Sequence, residues 1–334
     1  MFIRLTKPEE LDRVMELYAR AREFMRAQGN PTQWGSTEPK RERVAQDIAE
    51  GHSFVCCEGD ELLGVFSFEA EADDPTYHEI WDGSWPETDS YGVLHRIAVG
   101  TPGRGVAGFC LDWCWARCRQ LRADTHADNL PMQRAMLKNG FERCGMIKTY
   151  NGTDRLAFAR PAKLWIAQSE QKRRQLLAAS FGLYGLAVLT AVGLLADVIR
   201  QVGSGWLLLL PVFVLLALPG SLMILSRLGK GGGIEIGPEG IKNRLVDRAL
   251  HGSYEWSEFC GAEFGRGEKT VELIPRDPDD FFAALPRRTR KALRQKRLKN
   301  DTLPLSCLLL TKQDKERLLR LLQTHLDARK ETKK

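Results

Sequence analysis

The sequence holds eight cysteines but no CxxC pair, so the spacing of a small zinc site or a dithiol redox motif is missing. Its opening, "MFIRLTKPEELDRVMELYARA", lacks the short apolar core and small-residue cleavage site of a secretory signal. The cysteines therefore read as reduced thiols of a cytosol-facing protein. Cys110, Cys114 and Cys118 recur every four residues and share one helix face. A small-residue packing stripe explains that spacing better than ligation, and no metal is expected. Charge is absent from two long runs, 175–196 and 201–226. Each exceeds the roughly 20 apolar residues that a bilayer-spanning helix needs. Lys172, Arg173 and Arg174 precede the first run, and Arg227 and Lys230 follow the second. The expectation is a membrane hairpin, with helices near 175–197 and 204–226 and both flanking domains in the cytoplasm at a bacterial inner membrane.

Charge divides the 334 residues. Residues 1–160 hold 20 Lys/Arg against 25 Asp/Glu, a net of −5, and residues 161–334 hold 29 against 18, a net of +11. Together these give the chain's +6. The chain thus divides into three parts: a domain at 1–160, the hairpin region at 161–229, and a cytosolic domain at 230–334.

The first part alternates helical and strand periods, as an α/β (α+β) domain does. "PEELDRVMELYARAREFMRAQG" reads as a helix closed by Gly29, and "HSFVCCEGDELLGVFSFEAE" as a hairpin around Glu58-Gly59-Asp60. "YGVLHRIAV" is a strand, "GRGVAGFCLDWCWARCRQL" a helix, "RADTH" a strand, and "NLPMQRAMLKNGF" a short helix. A closing pair of strands surrounds Asn151-Gly152.

The joint "AVGTPGRGVAGF" is the most informative stretch. A strand, a glycine turn and a helix leave unpaired backbone N–H groups converging at the positive end of a helix dipole, which suits phosphate. On the glycines alone, a purely structural turn fits as well. Over 1–160 the sequence resembles the GNAT superfamily of N-acetyltransferases, whose signature is Gln/Arg-x-x-Gly-x-Gly/Ala. Here it reads Pro102-Gly103-Arg104-Gly105-Val106-Ala107, with proline at the leading position. "DNLPMQRAMLKNGF" is similar to the superfamily's Asn element and Gly-Phe end.

The resemblance implies acetyl-CoA as cosubstrate and direct attack by an amine that the residues do not identify. Gly103, Arg104, Gly105, Val106, Ala107 and Gly108 would hold the pyrophosphate. Backbone groups of Ile97 and Val99 would meet the pantetheine arm and polarise the thioester, and Asn129 matches the family's asparagine. Many members place a tyrosine acid seven residues after that asparagine, whereas here the position is Met136. Tyr91, Tyr150 or a water would then protonate the thiolate. His95 is the preferred base, because an imidazole titrates near neutrality, while a packed or surface histidine is the plain alternative; His126 is a second candidate. Trp34, Trp81 and Trp85 would wall an acceptor pocket or merely pack, and Glu79, Asp82, Glu87 and Asp89 beside two of them would suit a cation.

The last part resembles small bacterial membrane proteins with two spans and a pleckstrin-homology-like domain, through "GIEIGPEGI" and the strand holding Trp256. Eight of the 13 residues in Arg287–Lys299 are basic. Anionic lipid headgroups fit this run better than nucleic acid, since it interleaves no aromatics, and a solvated basic helix fits too. The reading from sequence is a membrane-anchored N-acetyltransferase. Its rival is a CoA-binding or lipid-binding regulatory or scaffold protein with reduced chemistry.

Overall fold

The computed structural model describes residues 1–179, 182, 193, 196, 200, 232–245, 247, 250–295 and 302–331. They form two compact units, Met1–Leu164 with Gln323–Lys334, and Trp165–Leu322.

The first unit is built on a seven-stranded sheet. In chain order its strands are β1 (Phe2–Leu5), β2 (Ser53–Glu58), β3 (Glu61–Glu69), β4 (Gly92–Val99), β5 (Leu121–Thr125), β6 (Glu142–Lys148) and β7 (Asp154–Arg160). Their spatial order is β1-β2-β3-β4-β5-β7-β6. Helix α1 (Leu11–Ala27) buries Val14, Leu17, Tyr18, Ala21 and Met25, an i, i+3, i+4, i+7 stripe that selects its inner face. That stripe packs on Val55 of β2, Val65 of β3 and Ala98 of β4. Helix α2 (Arg41–Ala49) adds Val44 to the same cluster. Helices α3 (Val106–Trp115) and α4 (Leu130–Lys138) follow β4 and β5. The unit also includes the chain's last turns, where His325 meets Trp115 edge-on at 5.0 Å and Glu331 pairs with Arg117.

Strand β4 is irregular in two ways. It runs parallel to β5, yet only Gly92 and Val93 pair, with Leu121 and Arg122. Against β3, Ser67 faces His95 and Val65 faces Ala98, so β4 holds one extra residue there. That bulge contains Arg96, whose φ of 51° is left-handed. Arg96 is held by an ion pair with Asp47 of α2, which is itself 2% exposed.

The bulge switches the parity of the strand. Gly92 N–H donates toward β5, to Gln120 O, and strict alternation would aim Gly100 N–H the same way. Instead Gly100 N–H donates to Leu63 O, on the β3 side. Counting back, Ala98 N–H faces β3, and the backbone groups of Ile97 and Val99 face the gap toward β5.

The second unit contains two small antiparallel sheets. Strands β8 (Leu164–Ala167), β9 (Gly233–Ile236), β10 (Gly240–Asn243) and β11 (Gly252–Glu255) stand in the order β11-β10-β9-β8. Strands β12 (Phe259–Phe264), β13 (Thr270–Pro275) and β14 (Leu303–Ser306) form the other. Trp256, 1% exposed, donates its indole N–H to Gly237 O and so satisfies its polar edge inside this core. The basic run is helical over Arg287–Gln295, and 296–299 lie outside the described residues.

The expected fold class needs correction here. No helix among the described residues is long and apolar enough to cross a membrane. The segments assigned to the hairpin, 175–197 and 204–226, lie almost wholly outside the described residues. The long C-terminal helix, Lys312–Glu331, carries Lys312, Asp314, Lys315, Glu316, Arg317 and Arg320 in its first nine residues, a density that hydrocarbon does not accept. The membrane hairpin, the inner-membrane localisation and the bilayer partner drawn from it therefore have no support. The lipid-headgroup assignment of Arg287–Lys299 loses its basis too, because it rested on a neighbouring bilayer.

Candidate functional site

The gap between β4 and β5 is bordered on one side by the glycine loop. Gly103 has φ of 91° and Gly105, the residue before α3, has φ of 76°. Both are left-handed and open on the Cβ side, so glycine is required by conformation rather than by crowding. The first N–H groups of α3, at Val106, Ala107 and Gly108, form the helix's positive end. Gly108 has a second task, since a Cβ there would come within 3.1 Å of the Asn139 amide oxygen. Arg104 does not point free. It pairs with Glu58 at 2.6 Å and Glu61 at 3.4 Å, both at the β2–β3 turn. A cleft of about 230 Å³ lies beside the loop, lined by Arg13, Glu16, Arg20, Glu61, Thr101 and Arg104 among others.

Asn129 caps α4 by accepting from Met132 N–H at 3.2 Å. Its amide donates to Gln33 Oε1 at 2.9 Å, and Asn30 donates to the same oxygen at 2.9 Å. Asn129 is thus the partner of the loop after α1, a link that nothing in the local sequence around either residue announces. Trp34 in that loop packs edge-on against Tyr18 at 5.6 Å and belongs to the α1 cluster.

His95 sits in β4 just before the bulge, between two carboxylates. Its Nε2 is 2.8 Å from Asp74 Oδ2, and its Nδ1 is 3.9 Å from Asp124 Oδ1. Burial pushes the Asp74 carboxyl up, but hydrogen bonds from His95 and Thr76 outweigh it and hold the group well below the usual carboxylate range. Asp124 in β5 accepts the Tyr77 hydroxyl at 2.7 Å and has Arg155 Nε at 3.7 Å. Tyr77 is fully buried beneath this group, and its phenol is pushed well up by burial and then by Asp124. The sequence reading omitted Asp74, Asp124 and Tyr77. The acidic pair Asp73-Asp74 before a proline was the one available signal, since Asp74 caps a short turn through Thr76 N–H.

Val93 and Tyr77 share a cluster on the His95 face. Beyond the bulge it is Ala98 that packs on the α1 cluster, so Ile97 does not continue the His95 face. Tyr91 lies against the Arg122 guanidinium at 3.8 Å, and burial raises its phenol. Tyr150 is 88% exposed on the β6–β7 turn. Met136 is fully buried, an apolar core residue where a proton donor was sought. His126 pairs with Asp128 at 3.3 Å.

The three tryptophans are not brought to one wall. Trp85 stacks on Tyr77 at 5.5 Å and donates to its carbonyl at 3.0 Å, while Trp81 bridges Met146 of β6. Cys110 and Cys114 are fully buried with thiols raised by burial, and no group of metal-binding side chains occurs among the described residues.

No protein-family model matches the chain, and no curated protein matches it either. Solved structures do. A GNAT-family acetyltransferase from Streptococcus agalactiae is 29% identical, with 48% of this chain and 94% of that one covered and a TM-score of 0.44. An acetyltransferase from Salmonella typhimurium, solved with acetyl-CoA, is 14% identical, with 47% and 91% covered and a TM-score of 0.33. An aminoglycoside acetyltransferase, solved with coenzyme A and kanamycin, is 18% identical, with 48% and 93% covered and a TM-score of 0.34. These likenesses span about half of the chain, and none of them supports a pleckstrin-homology-like domain at 230–334, which is withdrawn.

Proposed function

We propose that the first unit is a GNAT-type N-acyltransferase, which moves an acetyl group from acetyl-CoA to an amine by direct attack. The observation that carries this is the parting of β4 from β5 after two paired residues, beside a left-handed glycine loop that opens α3. A narrow gap edged by unpaired backbone groups suits the amide-bearing pantetheine arm. The positive end of α3 suits its pyrophosphate. The residues fit the cosubstrate: Gly103 to Gly108 would hold phosphate, and Ile97 and Val99 would bond the arm, with Arg13, Arg20 and Arg104 lining the adjoining cleft.

Acetyl transfer then needs little beyond positioning and proton management. His95, with Nε2–H donated to Asp74, keeps its Nδ1 lone pair for the amine's proton. The amine nitrogen bonds to the thioester carbonyl carbon, and charge developing on that oxygen meets a β4 N–H at Ile97 or Val99. The C–S bond breaks, and the thiolate takes a proton from water or Tyr91, which burial keeps protonated. Asn129 and Gln33 would brace the floor between the loop after α1 and α4 rather than touch the acyl group.

Calorimetric titration of acetyl-CoA into the full chain tests this reading. Micromolar binding is expected, and Gly105→Glu should weaken it by 100-fold or more, roughly 3 kcal/mol, because it sets bulk and charge at the helix's positive end. A folded wild-type chain that binds no acetyl-CoA would sink the proposal.

A further inference from the structure

Acetyl transfer to an amine, on which this inference rests, leaves the identity of the acceptor open. Asp124 has no part in that chemistry so far. Its Oδ1 stands 3.9 Å from His95 Nδ1, too far for a hydrogen bond between them. Yet the side chain is only 13% exposed and is fixed in place by the Tyr77 hydroxyl, with Arg155 3.7 Å from its other oxygen. With Nε2–H given to Asp74, Nδ1 and Asp124 Oδ1 are two acceptors 3.9 Å apart. One nitrogen bearing two N–H groups can reach both at ordinary hydrogen-bond lengths. An ammonium group satisfies both atoms, and then loses to Nδ1 the proton that attack requires.

The surroundings add a second charge requirement. Residues 62–95 contain eight Asp/Glu and no Lys or Arg. Besides Asp74, this segment carries Glu71, Glu79, Asp82, Glu87 and Asp89, all exposed and in no ion pair among the described residues. Nearby cations are already placed: Arg122 lies over Tyr91 and Trp85, Lys148 is 6.0 Å from the Trp81 ring, and Arg155 is beside Asp124. The carboxylates of this segment outnumber those cations, a balance that would concentrate cations and repel anionic acceptors.

We infer that Asp124 anchors the reacting ammonium, and that the acceptor is an alkylamine carrying more than one positive charge. The test measures thiol release from acetyl-CoA by the full chain, with butylamine, 1,4-diaminobutane and spermidine as acceptors. The two polyvalent amines should show a KM about tenfold below butylamine, rising with added salt. Asp124→Asn should raise their KM roughly 10–100-fold, with the Kd for acetyl-CoA unchanged as the check on folding. Tyr77→Phe removes the hydroxyl but keeps the carboxylate, so its KM should move by less than about threefold.

Equal shifts in the two variants would make Asp124 a packing partner and overturn the inference. Butylamine matching the polyvalent amines would overturn it too, as would no thiol release by a chain that binds acetyl-CoA. Failure to bind acetyl-CoA is a separate result, which removes the acyltransferase reading itself.

Discussion

Replacing His95 by alanine is expected to lower kcat/KM for amine acetylation by about 10²–10⁴-fold, the usual size of a general-base contribution. The Kd for acetyl-CoA should stay within about twofold, because in the proposed arrangement the imidazole would lie on the acceptor side and backbone groups would hold the cosubstrate. Asp74→Asn should fall between wild type and His95→Ala. Its carboxylate holds the Nε2 proton in place, so an amide loosens the ring's orientation and removes the charge that stabilises an imidazolium. The measurement is steady-state kcat/KM for all three chains. A full-rate alanine variant would return His95 to the packed residues and move the base elsewhere.

The second large effect concerns stability. Asp112 of α3 and Arg160 of β7 form a 2.8 Å ion pair with both side chains 0% exposed, and the guanidinium lies 4.1 Å over the Trp115 ring. Taking two charges out of water costs several kcal/mol apiece, and mutual attraction about balances that cost. Removing one partner takes away the 2.8 Å attraction that offset the other's cost. Asp112→Ala should therefore destabilise the first unit by about 3–5 kcal/mol. Scanning calorimetry should place its transition lower by roughly 6–20 °C. The double variant Asp112→Leu with Arg160→Met leaves no charge stranded and should recover most of the loss. If the single variant melts within a degree or two of wild type, the buried charge is reaching water and this account fails.

What could be read from the residues was local. The α1 stripe, the turn at Glu58-Gly59-Asp60 and the strand–loop–helix joint at Gly105 each rest on neighbours in sequence, and each is present. The extra residue at Arg96 could not be read. Its left-handed backbone is stabilised by Asp47, 49 positions away, and arginine itself carries no bulge signal. Asp74 was missed for the same reason, because it stands 21 positions before His95, across a largely irregular stretch. Within the second unit, β8 at Leu164–Ala167 joins a sheet whose next strand starts at Gly233, so no local period could assign it there. The long uncharged runs pulled the reading toward a bilayer, and they contribute no helix of sufficient length among the described residues.

The bulge also divides the backbone protons of β4 into two populations. Ala98 and Gly100 N–H groups are bonded into the sheet and should exchange with solvent deuterium only through large openings. Ile97 and Val99 alternate with them along the strand, in the middle of a seven-stranded sheet, with no paired strand on the β5 side. In the free chain their deuterium uptake should be that of a loop. A thioester arm laid in the gap would turn both into slow protons, so the alternation of fast and slow amides along four consecutive residues would be lost on occupancy.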